Sequence, residues 1–303
     1  KIGLVVRLKP KTVEELAQAL GAATELVTEV DLSALNRVLE HTPEDMTATV
    51  QTGMTLEALQ SELGRHGQWV PMDVAGAAET TLGEILAEDL SGPRRLGYGT
   101  VREYVIGLRV VLGSGEVIRN GGKVVKNVAG YDLCRLFMGA RNSLGIIVEA
   151  TFKLRPIPER EVILQARCGS LKEARTMAER LHDPVALDLH RSGGELTLVA
   201  AFAGAREDVE EQERRARDAG VRETGDFGYD SASRELRKHS ILPTEIWSAL
   251  ERVNGQPFVA RLGNGIIYSE GEVRVKRTEA PRELMARVKR AYDPKGILPQ
   301  YSA

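Results

Sequence analysis

The sequence predicts a two-domain α+β chain, a larger N-terminal α+β domain followed by a smaller α+β domain with an antiparallel sheet. Three observations carry this. The chain has 303 residues, which is long for one domain and comfortable for two. Strand and helix patterns alternate through its first half. Beyond Pro156 and Pro158 the order becomes strand, helix, strand, strand, helix, as a sheet with helices on one face produces. The prolines mark the boundary, giving domains 1–158 and 159–303.

Each element has a local cause. Thr12 can cap the first helix, with Glu15 at the reciprocal capping-box position and Val13, Leu16, Ala17 and Leu20 on one face. Residues 25–30 and 47–52 read as strands, and Gly53 breaks the second. Thr55 starts a second helix with Leu56, Leu59 and Leu63 at core spacing, and residues 68–71 return as a short strand. Thr80-Thr81-Leu82-Gly83 leads into a third helix, whereas residues 91–100 are rich in Gly and Pro and are expected as loop. Gly113-Ser114-Gly115 between residues 105–112 and 116–119 signals a hairpin. Asp132 caps a helix, and residues 145–154 form a long strand. In the second domain, strands are expected at 162–167, 185–190 and 196–202, and helices at 172–181 and 206–219. A hairpin follows around Gly263-Asn264-Gly265, and a terminal helix spans 282–291.

Composition excludes several classes. Hydrophobic content of 42% with a net charge of −2 is ordinary globular usage, so neither nucleic acid nor an anionic membrane is an expected partner. Cys134 and Cys168 form no C-x-x-C pair, so no iron–sulfur cluster or zinc is expected, and reduced thiols point to the cytoplasm. No apolar run approaches the ~20 residues of a membrane-spanning helix, and no signal peptide is visible. There is no G-x-G-x-x-G after a strand, no P-loop and no G-x-S-x-G elbow. His41, His66, His182, His190 and His239 are scattered, so no metal site is expected and no catalytic base can be assigned. Any single glycine between residues 80 and 145 reads as a turn former, but glycines also let backbone N–H groups approach a ligand closely.

The ordered set carries a resemblance. Thr80-Thr81-Leu82-Gly83, then Leu90 to Arg95, then Gly97-Tyr98-Gly99-Thr100-Val101 through Leu108 resemble the PCMH-type FAD-binding domain of vanillyl-alcohol-oxidase-type flavoproteins. Gly121 to Leu133, containing Lys126-Asn127-Val128-Ala129-Gly130-Tyr131-Asp132, is similar to a segment of the glycolate oxidase branch, and Ser143-Leu144-Gly145-Ile146-Ile147 to the strand start beside the flavin. The similarity runs from about residue 10 to 158 and returns weakly at residues 292–299. It implies a PCMH-type domain of two α+β subdomains binding FAD noncovalently, with the isolated chain able to lose it. It also implies flavin-dependent oxidation of a small 2-hydroxy acid, together with a second flavin subunit and an iron–sulfur subunit of glycolate oxidase. Any membrane association would run through those partners.

The resemblance also assigns roles. Thr81, Leu82 and Gly83 would approach the pyrophosphate or ribityl chain. Gly92, Gly97, Tyr98, Gly99 and Val101 would lie along the adenine and ribityl parts, and Gly145, Ile146 and Ile147 would offer backbone contacts near the adenine end. Asn127, Gly130 and Tyr131 would be on the cofactor side, and Arg94 and Arg95 would either neutralise phosphate or sit in an exposed loop. Three departures stand beside it. Leu20 to Glu25 runs from helix to strand without the family's glycine-rich pyrophosphate loop, Glu84 replaces a glycine, and Asn142 replaces another. Either this sequence lacks a loop that the full gene encodes, or the chain has a degenerate flavin site. The alternatives to an oxidase subunit are therefore a non-redox scaffold subunit and a stand-alone flavoenzyme.

Overall fold

The computed structural model describes residues 6–122, 133–227, 236–253, 255–271, 273 and 282–301. They fall into two compact units. The first comprises Lys1–Leu90, Thr100–Ile157 and Thr278–Ala303, and the second Ser91–Gly99 and Pro158–Arg277.

In chain order the first unit supplies β1 (Val6–Leu8), α1 (Val13–Ala22), β2 (Val27–Val30), β3 (Val38–Thr42), β4 (Thr47–Gln51), α2 (Leu56–Gly64), β5 (Gln68–Trp69) and α3 (Leu82–Glu88). The short α4 (Arg95–Tyr98) belongs to the second unit. The first unit resumes with β6 (Val105–Val111), β7 (Val117–Gly121), α5 (Leu133–Phe137), β8 (Ile146–Lys153) and β9 (Arg155–Pro156). The second continues with β10 (Arg160–Cys168), α6 (Leu171–Ala178), β11 (Ala186–Ser192), β12 (Glu195–Gly204), α7 (Arg206–Asp218), β13 (Glu223–Thr224), β14 (Arg237–Ser240), α8 (Ile246–Arg252), β15 (Phe258–Arg261) and β16 (Ile266–Ser269). Helix α9 (Arg282–Tyr292) returns to the first unit.

The first unit is built on a five-stranded antiparallel sheet of order β3-β4-β8-β6-β7, with β1 and β2 paired in parallel beside it. Thr12 and Thr55 cap α1 and α2 as their positions predict, each accepting a backbone N–H in the first turn. Leu16 and Leu20 of α1 are fully buried against Val111 and Val148 of the sheet. Ile297 and Leu298 fill the same core, which is why the C-terminal segment packs with the first unit although the sequence placed it in the second domain.

The second unit is a seven-stranded antiparallel sheet of order β13-β10-β12-β11-β15-β16-β14. Helices α6, α7 and α8 cover one face, through Ala174, Val209, Ile246 and Leu250 against Leu164, Leu198, Phe202 and Ile267. The other face carries a smaller cluster, Val185, Ala186, Val199, Ala201 and Phe227, with Tyr98 against it. Residues 91–100, expected as loop, contain the helical turn α4. Its Gly97 N–H donates to Val185 O at 3.0 Å, and a Cβ at Gly97 would lie 2.7 Å from Val185 Cα. That close approach holds the segment in the second unit and requires a glycine.

Candidate functional site in the flavin-type domain

Thr52, just beyond β4, joins two of the predicted cofactor segments. Its N–H donates to Val148 O at 3.0 Å and its hydroxyl to Ile147 O at 2.6 Å. Its carbonyl accepts from Gly83 N–H at 2.8 Å. Residues 81–83 and 145–147 thus meet at one junction of the first unit. Gly83 fits because a Cβ would already press on Thr52 O, at 3.3 Å. Gly145 is needed for packing, since a Cβ there would lie 2.7 Å from Val110 Cγ1. Ile146 and Ile147 are buried β8 residues opposite Val111 and Val110. Asn142 adopts φ 58, the left-handed conformation that asparagine tolerates in place of the family's glycine.

The amide donors at the start of α3 are all committed. Leu82 N–H donates to Met54 O at 2.9 Å and Gly83 N–H to Thr52 O. Glu84 N–H donates to Thr81 Oγ1 at 3.2 Å, and Glu84 Oε2 accepts from Thr81 N–H at 2.8 Å, a complete capping box. The Glu84 carboxylate therefore turns back onto its own helix and fills the place where an anion would meet these amides. A phosphate at Thr81–Gly83 would have to displace protein groups, so the described residues offer no ready pyrophosphate cradle there.

The connection between α1 and β2 is equally closed. Ala23 N–H caps α1 on Ala19 O and Leu20 O at 3.0 and 3.2 Å, and Val27 N–H donates to Ile297 O at 2.8 Å. Only residues 24–26 lie between them, and the Lys295 ammonium donates to Gly21 O beside the link. A partly buried Lys289 fastens the C-terminal turn, donating to Asp293 Oδ2 at 2.6 Å, Leu298 O at 3.0 Å and Pro299 O at 3.1 Å. It also donates to Ser143 O at 2.7 Å, at the turn leading into Gly145.

The remaining predicted residues are distributed otherwise. Val101 is buried in the first unit at a 3-10 turn, Val101–Glu103, where Thr100 N–H donates to Glu103 Oε1 at 3.1 Å. Gly92, Gly97, Tyr98 and Gly99 lie in the second unit, and Gly99 ends α4 with φ 84. Arg94 makes a bidentate pair with Glu161, at 2.7 and 2.9 Å, and stacks 5.0 Å over Phe227. Its charge is compensated inside that unit. Asn127, Gly130 and Tyr131 lie outside the described residues. Among the described residues no group of three or more His, Cys, Asp or Glu could hold a metal ion, and no helix is long and apolar enough to cross a membrane. Thr52 escaped the sequence reading because a threonine at a strand end has no distinguishing pattern.

The fold defines the class. Two solved structures of alkyldihydroxyacetonephosphate synthase superpose on the chain with TM-scores of 0.74 and 0.73, covering 96% of this chain and 76% of theirs at 14% and 15% identity. The chain thus has the PCMH-type flavoprotein fold. Residues 17–121 match the FAD binding domain family.

Glycolate oxidase subunit GlcD of Bacillus subtilis is 46% identical over 133 residues, 44% of this chain and 28% of its own length. A D-2-hydroxyglutarate dehydrogenase of Xanthomonas citri is 41% identical over 149 residues, 49% of this chain and 31% of its own. Glycolate oxidase subunit GlcE of Escherichia coli is 34% identical over 184 residues, 57% of this chain and 52% of its own. The chain therefore spans about half or less of each of these relatives.

Proposed function

We propose that this chain is the FAD-binding subunit of a cytoplasmic oxidase of glycolate or a similar 2-hydroxy acid. The observation that supports this most is the similarity to GlcE over 184 residues, a stretch longer than the FAD-binding domain at 17–121. Bound FAD would supply the acceptor for a hydride equivalent from the hydroxyl-bearing carbon, leaving a 2-oxo acid. The chain's own part is to frame the cofactor. Thr52 holds residues 81–83 against 145–147, and Lys289 holds the turn before Gly145. Cys134 and Cys168 are single buried thiols, so electrons would leave through an iron–sulfur partner and a second flavin subunit. Anaerobic addition of glycolate to the complex reconstituted with those subunits is expected to bleach the flavin absorbance. No bleaching by glycolate, D-lactate or D-2-hydroxyglutarate would overturn the assignment.

One set of observations favours a second reading, a scaffold subunit with a degenerate flavin site. The α3 amides are already bonded, Glu84 stands over them, and α1 runs into β2 without a glycine-rich loop. Flavin retention by the isolated chain separates the two.

A further inference from the structure

Helix α9 is amphipathic, yet none of its 11 residues is buried. The apolar faces of α1 and α2 behave differently, with Leu16, Leu20, Leu56, Leu59 and Leu63 at most 1% exposed. On α9, Leu284, Val288 and Ala291 form a stripe at i, i+4 and i+7. Leu284 is 53% exposed, Ala291 is exposed and Val288 is half-buried. A neighbouring side of the helix holds it to the first unit. There Lys289 donates to Ser143 O, Leu298 O and Pro299 O, and Tyr292 meets Phe137 edge-on, with ring centroids 5.3 Å apart.

The charge around the stripe says what covers it. Arg287 lies three residues after Leu284, Arg290 lies three further on, and both are exposed, as is Arg282. Other helices neutralise their arginines internally, pairing Arg175 with Glu179, Arg215 with Glu211 and Arg217 with Glu213. On α9, Arg282, Arg287 and Arg290 make no ion pair among the described residues, although Glu283 stands at the i, i+4 spacing from Arg287. Glu283 is one carboxylate against three guanidiniums, so the exposed face stays cationic whichever of them it meets.

We propose that the Leu284–Arg287–Arg290 face of α9 docks an acidic segment of a partner protein, which sets an apolar side chain against Leu284 and carboxylates against Arg287 and Arg290. The planar fork of a guanidinium matches a carboxylate, and arginine beside an apolar anchor is the usual make-up of an interface centre. A second copy docked through the same face would set arginine against arginine. A membrane surface calls for a broad apolar face, whereas Leu284 is the one large apolar side chain that α9 leaves mostly exposed. Taking the partner to be another subunit of the oxidase rests on the function proposed above, whereas the face itself does not.

The test is sedimentation velocity of the full chain mixed with the second flavin subunit and the iron–sulfur subunit of the oxidase. The wild-type chain is expected to assemble, with an affinity that falls as salt is raised. Arg287→Glu combined with Arg290→Glu should weaken assembly at least tenfold, and so, separately, should Leu284→Asp, each with the circular dichroism spectrum unchanged. No assembly of the wild-type chain, or assembly unaltered in both folded variants, would overturn the proposal. Self-association of the chain alone, or cosedimentation with phosphatidylglycerol vesicles, would also overturn it if the charge reversal abolished that binding, because the face would then serve a second copy or a membrane. Flavin bleaching by glycolate in the same mixture separates the two failures. Bleaching without assembly sinks the docking face, and assembly without bleaching sinks the oxidase reading.

Discussion

At Thr52 a single residue ties two segments that the sequence presents 60 or more residues apart, its carbonyl accepting from Gly83 N–H and its buried hydroxyl donating to Ile147 O. Thr52→Val keeps the shape and removes that buried donor. It should lower stability by about 1–3 kcal/mol in urea denaturation. Glu84 offers a complementary test. Glu84→Gln retains the capping-box geometry but removes a charge beside the proposed pyrophosphate position. FAD affinity, read by fluorescence quenching, should rise roughly fivefold, as removing about 1 kcal/mol of repulsion implies. An unchanged affinity would place the pyrophosphate away from α3. At this scale the glycines were legible and their partners were not. Gly83 and Gly145 stand out in the sequence, but what crowds them, Thr52 and Val110, comes from other strands. Asp188 and Arg261 lie 73 residues apart, and only the β11–β15 register pairs them.

Elements with strong local signals formed where expected. Thr12 and Thr55 cap their helices, Gly113-Ser114-Gly115 links β6 to β7, and the hairpin around Gly263-Asn264-Gly265 links β15 to β16. Elements without them were missed. Strand β3 is specified by pairing with β4 rather than by alternation, and α4 by packing on Val185 rather than by helix propensity. Gly53 shows how an apparent strand breaker can be a packing requirement, because a Cβ there would fall 1.8 Å from Leu32 O. Gly53→Ala should cost about 3 kcal/mol, measured as a lower denaturation midpoint, since backbone rather than a mobile side chain must move.

The whole molecule is threaded between its units more than the proline boundary suggests. The chain leaves the first unit at residues 91–99 and comes back to it at its C-terminal segment. Local patterns could not reveal that return, because Ile297 and Leu298 make an ordinary apolar pair until α1 and β2 are seen packed on them. Removing residues 293–303 should therefore destabilise the first unit by about 3–6 kcal/mol, the burial of two large aliphatic side chains. Hydrogen exchange should show the loss in α1 and β2 first. FAD binding is tested most directly by the visible spectrum of the purified chain after incubation with excess FAD and removal of the unbound dye. A retained flavin spectrum is expected, and a folded chain that retains none would contradict FAD binding by this chain.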